Sequence, residues 1–119
     1  MPKLLVVDDE IDIREFAKRF FSRRGIDVVT AHDGQSALDA IVSHQPDLVM
    51  LDIQMEGMDG LTALENLRSI GDRTRVIMVT GNESQDVMDA VDQFDVHAYI
   101  HKPLILEELE KVVLQELKN

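Results

Sequence analysis

The chain has 119 residues, a net charge of −11 and 45% hydrophobic residues. That length supports one domain around a single core, and the apolar fraction excludes wholesale disorder. Twelve Lys+Arg against twenty-three Asp+Glu exclude a broad basic face for nucleic acid, and the lack of cysteine excludes disulfides and thiol chemistry.

The first apolar run is LLVV (4–7), which leads straight into Asp8, Asp9 and Glu10. Beyond it Asp12 reads as a helix N-cap, with Ile13, Phe16, Ala17, Phe20 and Phe21 at helical spacing and Gly25 as the stop. DVVTA (27–31) is the second run, followed by a stripe of Ala37, Leu38, Ile41 and Val42 that ends before Pro46. DLVML (47–51) is the third, followed by Asp52 and a stripe of Leu61, Leu64 and Leu67 that ends near Gly71. RVIMVT (75–80) closes on Thr80, and Val87, Ala90, Val91 and Phe94 mark the fourth helix. HAYI (97–100) is followed by Lys102, and Leu106, Leu109, Val113 and Leu117 mark the last helix.

The five runs are rich in Val, Ile and Leu and do not alternate with polar residues. Such runs suit strands buried on both faces. Strand and helix alternate five times, which predicts an α/β fold with a doubly wound parallel sheet and helices on both faces. Residues 1–119 read as one domain. The apolar runs are too short to span a bilayer, and MPKLLVVDDE does not read as a signal peptide. A cytoplasmic protein without membrane insertion is expected. The basic stretch KRFFSRRG, with Lys18, Arg19, Arg23 and Arg24, reads as a solvated helix face, with a docking patch for an acidic partner as the alternative.

In a parallel sheet the carboxyl ends of all strands share one edge, and open α/β sheets place their sites there. Asp8, Asp9, Asp52, Thr80 and Lys102 all follow or end strands. An Asp in such a place is often only a cap or turn former. Five chemically apt residues at one edge favour a shallow pocket of carboxylates, a hydroxyl and an ammonium. Converging carboxylates call for a hard divalent cation such as Mg2+, and a lysine beside them adds a second positive charge. Two cationic elements around a carboxylate suit a phosphoryl group. His32, His44, His97 and His101 are spread out and read as surface or strand-edge residues.

The motifs VVDDE, MLDIQMEGMDG, VTG and YIHKP, in this order and spacing, resemble the receiver domains of two-component response regulators (CheY-like). The similarity covers essentially the whole chain. It implies a (βα)5 flavodoxin-like sheet of strand order 2-1-3-4-5. It further implies Asp52 as the phosphoacceptor, supplied by the phosphohistidine of a sensor histidine kinase or histidine phosphotransfer protein. By the same resemblance Asp8, Asp9, Asp52 and the backbone carbonyl of Gln54 hold Mg2+, for which Mn2+ can substitute. Lys102 matches the lysine that pairs with a phosphoryl oxygen, Thr80 the switch hydroxyl and Tyr99 the aromatic that moves with it. Pro103 matches a proline whose preceding bond is cis, which costs little before proline. The implied output surface is the fourth helix, fifth strand and fifth helix, roughly Ser84 to Leu117, facing a downstream protein and not nucleic acid. A monomer is expected, with dimerisation on phosphorylation open. Such a domain is a signalling switch that catalyses only its own phosphorylation and dephosphorylation.

Two positions depart from the family's pattern. Glu56 stands where a proline is usual, and Asp95 where a glycine is usual. Glu10 carries no assigned ligand role. Two other readings compete: a small phosphatase of the haloacid dehalogenase type, and a receiver-like interaction module without phosphorylation. The first needs an Asp two residues after its nucleophile, where Glu10 follows Asp8, and usually a cap domain. The second leaves five filled site positions without a purpose.

Overall fold

The computed structural model describes residues 1–81 and 83–118; Asn82 and Asn119 of the expected 1–119 domain lie outside the described residues. Five strands, β1 (Lys3–Val7), β2 (Asp27–Ala31), β3 (Leu48–Asp52), β4 (Val76–Thr80) and β5 (Ala98–His101), alternate with five helices. The helices are α1 (Ile11–Ser22), α2 (Gly34–His44), α3 (Gly60–Ser69), α4 (Gln85–Asp92) and α5 (Leu106–Lys118). All strand pairs are parallel and the order is β2-β1-β3-β4-β5. The doubly wound flavodoxin-like sheet expected from the sequence is the one observed.

Period-two alternation divides the core between the two faces of this sheet. Leu4, Val6, Met50, Ile77, Val79 and Ile100 join Phe21, Leu109 and Val113 on the α1–α5 side. Leu5, Val7, Val49, Leu51, Val76 and Met78 join Leu64, Leu67 and Val91 on the α2–α4 side. The central strands β3 and β4 are buried at every residue, while the edge strands β2 and β5 are not. The unbroken apolar runs therefore describe the middle of the sheet best.

Local chemistry sets the helix starts. Asp33, Asp59 and Ser84 cap α2, α3 and α4 by accepting the backbone N–H of Ser36, Thr62 and Val87. In α1 the N-cap is Glu10, not Asp12. The Glu10 carbonyl already accepts the first helical bond, from the N–H of Arg14, so the helix begins nearer the strand than a cap at Asp12 would place it. Asp12 sits in the first turn, where its charge still complements the helix dipole. The helix closes at Ser22, and Gly25 takes a left-handed φ of 79° in the turn that follows. Phe94 lies beyond α4, which ends at Asp92, yet still packs on the α2–α4 side.

The basic stretch at the end of α1 and just beyond it divides by residue. Lys18, Arg19 and Arg23 are exposed. Arg24 stacks 3.6 Å from the Phe20 ring centroid and pairs with Glu110 of α5. That arginine ties two helices together.

Candidate functional site

The carboxyl ends of β1, β3, β4 and β5 bring the expected residues to one edge. Asp52 is the last residue of β3, and its side chain is only 1% exposed. One carboxylate oxygen, Oδ1, accepts the backbone N–H of Gln54 at 3.1 Å, and Oδ2 accepts Lys102 Nζ at 2.9 Å. The lysine reaches in from the loop after β5 and remains 35% exposed. The Lys102 N–H donates to the Thr80 carbonyl at 2.7 Å, which continues the β4–β5 ladder past its last strand residue. The Lys102–Pro103 bond is cis.

Asp8 is buried at the end of β1, and its Oδ1 accepts the Glu10 N–H at 2.9 Å. Burial pushes its carboxyl up from the usual 3.8 to about 6; the Glu10 N–H pulls it down, and the charges of Asp52 and Asp9 raise it further. Burial alone would lower the Lys102 ammonium, but the Asp52 hydrogen bond and the charges of Asp52, Asp8 and Glu10 carry it above its usual value. Asp52 and Asp8 therefore act on the same lysine.

Carboxylate oxygens of Asp8, Asp9 and Glu10 lie within 4.8 Å of one another. This all-oxygen, strongly anionic donor set fits a hard divalent cation. Glu10, given no role by the sequence, belongs to this cluster. Asp52 is tied to Lys102 instead, and its charge reaches the cluster through Asp8. A shallow depression of about 350 Å3 beside the cluster is lined by Asp9, Glu10, Gln54, Met55, Glu56 and Lys102. Glu56, the departure from proline, thus adds its charge to the rim. The neighbouring Gly57 takes a left-handed φ of 74° with open space around it.

Thr80 is buried at the end of β4, with Oγ1 2.9 Å from His101 Nδ1. Tyr99 is half-buried and its hydroxyl donates to Asp92 of α4. His101 is exposed at the strand edge, as its sequence suggests, but it is bonded to the threonine of the site. The signal that finds it is register: Thr80 and His101 are paired across β4 and β5. The other three histidines are also exposed.

Residues 4–114 match the model of the response regulator receiver domain family. The chain belongs to this family. Its curated relatives include response regulator MprA from Mycobacterium avium, 42% identical over 90% of this chain and 47% of the relative. MprA from Mycobacterium tuberculosis is 41% identical over 90% of this chain and 46% of the relative. The chain thus spans about half the length of the curated relatives it matches. Among solved structures, the receiver domain of a Francisella response regulator superposes with a TM-score of 0.89 at 32% identity, covering 99% of this chain and 98% of that one. The chemotaxis protein CheY4 of Vibrio cholerae gives 0.88 at 27% identity over 97% and 98% of the two chains. This receiver domain accordingly takes its place in two-component signalling. Among its described residues no helix is long and apolar enough to cross a membrane.

Proposed function

We propose that this receiver domain is a phosphoacceptor whose nucleophile is Asp52. The observation that carries the reading is the Asp52–Lys102 pair at 2.9 Å, with a buried carboxylate held next to an acidic, cation-suited cluster. In the transfer, an Asp52 oxygen attacks phosphorus in line, the bond to the donor histidine nitrogen breaks, and the product is an acyl phosphate with neutral imidazole as leaving group. Lys102 exchanges its bond to Asp52 for one to a phosphoryl oxygen. The Gln54 N–H holds the other Asp52 oxygen and fixes the carboxylate plane. Asp8, Asp9, Asp52 and the Gln54 carbonyl would hold Mg2+, or Mn2+ in its place, which when bound supplies positive charge against the transferring group. Hydrolysis later returns the carboxylate and inorganic phosphate.

The donor is a sensor histidine kinase or a histidine phosphotransfer protein. Ile11 and Phe16 are exposed on α1, and Ile105 and Leu106 where the chain enters α5; Ile11 directly follows Glu10, and Phe16 and Leu106 line one groove. They give such a donor an apolar footing. Phosphorylation adds charge and acceptor oxygens at Asp52, which recruit the Thr80 hydroxyl and let Tyr99 leave its Asp92 partner. The surface from α4 through α5 is then offered to a downstream protein. The domain works as a switch inside the cytoplasm and performs no chemistry on a separate substrate.

The test is a mass measurement after incubation with Mg2+ and acetyl phosphate. A single phosphoryl adduct is expected, labile to base and absent in Asp52→Asn. An unmodified protein, or an adduct that survives the substitution, overturns the assignment.

A further inference from the structure

Met78 of β4 and Tyr99 of β5 pack on the α2–α4 side of the sheet. Thr80 and His101 lie two residues further along the same strands, so alternation places them on that side as well. Thr80 Oγ1 and His101 Nδ1 are 2.9 Å apart, inside hydrogen-bond range. β5 flanks β4 on the side opposite β3, the strand that ends in Asp52. The hydroxyl is therefore engaged across the sheet edge from the nucleophile. The two Asp52 oxygens are meanwhile taken by Lys102 and the Gln54 N–H.

A threonine hydroxyl has one proton to donate. With Nδ1 unprotonated, that proton goes to the imidazole and is withheld from any phosphoryl oxygen. We propose that His101 is a positioning residue of the switch: its Nδ1 latches the Thr80 hydroxyl toward β5 in the unphosphorylated domain, so that the side chain at 101 sets the balance between resting and activated forms. This rests on the phosphoacceptor reading of Asp52. The exchange runs forward on phosphorylation because hydrogen bonds to an ionised acceptor are roughly twice as strong as neutral ones. The ring sits at the end of β5, with Tyr99 two residues before it and Lys102 one residue after.

Three proteins test the latch: the wild type, His101→Val and His101→Asn. Each is titrated with beryllofluoride in the presence of Mg2+, following the Thr80 methyl and Tyr99 ring resonances, and each is melted thermally. Without the latch the activation-competent fraction rises, so His101→Val half-saturates at about fivefold lower beryllofluoride, the factor one net hydrogen bond supplies. Its Thr80 methyl resonance before titration already lies toward the activated position. Asn places a polar atom where Nδ1 stood, so His101→Asn returns both readings close to wild type, with melting points little changed. Nitrogen-15 histidine spectra of the wild type show Nδ1 unprotonated, and Thr80→Val moves that resonance; this arm needs no folded variant at position 101.

The latch is overturned if His101→Val titrates like wild type with an unmoved Thr80 methyl, if His101→Asn behaves as His101→Val does, or if wild-type Nδ1 carries the proton. A wild type that takes no beryllofluoride removes the phosphoacceptor reading itself, and the latch with it. A wild type that binds while position 101 is indifferent removes the latch alone.

Discussion

Asp8 is buried at the end of β1, where its carboxylate accepts the Glu10 N–H and lies in the field of Asp52 and Asp9. Its carboxyl is pushed up to about 6 from 3.8, so the folded chain binds this proton more tightly than the unfolded chain. The sign follows from linkage: the contribution of the neutral carboxyl is fully present below about pH 4 and is lost as pH rises through 6. Above that range a buried anion remains, at a cost of about 3 kcal/mol, converting the shift at 1.36 kcal/mol per unit. In metal-free protein Asp8→Asn should therefore stabilise at pH 7 by about 2–3 kcal/mol and give little at pH 4, as measured by urea unfolding. Equal gains at both values would mean that Asp8 does not titrate between them. Of the expected residues, Asp8, Asp9, Asp52, Thr80 and Lys102 could be read from position alone, because strand ends share an edge in a parallel sheet. Glu10 and His101 could not. Glu10 joins the acids only because α1 starts at once after it, and His101 meets Thr80 only through the β4–β5 register.

Between β3 and α3 the chain must turn within seven residues and return to the end of the strand. Gly60 makes that return possible: its N–H donates to the Ile53 carbonyl at 2.8 Å, and an added Cβ would stand 2.2 Å from the Asp52 carbonyl oxygen. No rotamer relieves a clash with backbone, so the end of β3 would have to move. Gly60→Ala should destabilise by about 2–3 kcal/mol and slow phosphorylation, since the displaced residue is Asp52. Gly57→Ala, in open space with a left-handed φ, should lose only about 1 kcal/mol. Urea unfolding of both variants checks the order; equal losses would mean that the loop gives way at Gly60. The turn before β5 shows the opposite device. Asp95 adopts a φ of 58° where the family usually has glycine, and Arg68 and Arg73 hold the turn through the Phe94 carbonyl, the Asp95 carbonyl and the Asp95 carboxylate. The sequence marks the missing glycine but not the arginines that answer it, because Arg68 lies 27 residues away on α3. Helix stripes and strand runs were legible because burial writes them into the residue pattern. Element ends were less so, as Asp12 and Phe94 show, since a single carbonyl or cap decides them.

Across the whole molecule, a net charge of −11 falls on a domain whose strand ends gather several acids at one edge. Self-repulsion of that size opposes compaction everywhere, but among the described residues it is at this edge that three carboxylates come close enough to meet one cation. General screening and specific binding therefore predict different responses. Sodium chloride weakens all exposed repulsions together, within a Debye length of about 10 Å at 0.1 M. A cation held by Asp8, Asp9 and Asp52, as proposed, would stabilise the folded state alone, by about 2.7 kcal/mol at a hundredfold excess over its dissociation constant. For a domain of this size that corresponds to a rise in Tm on the order of 10 °C. Mg2+ should give this rise, EDTA should reverse it, and sodium chloride at matched ionic strength should give much less. Asp9→Asn removes an exposed carboxylate from the cluster while leaving the core untouched, so its Mg2+ response should fall to the level of the salt control. If Asp9→Asn keeps the full Mg2+ response, the stabilisation is screening of the whole surface, and the acids at the strand ends do not form a cation site.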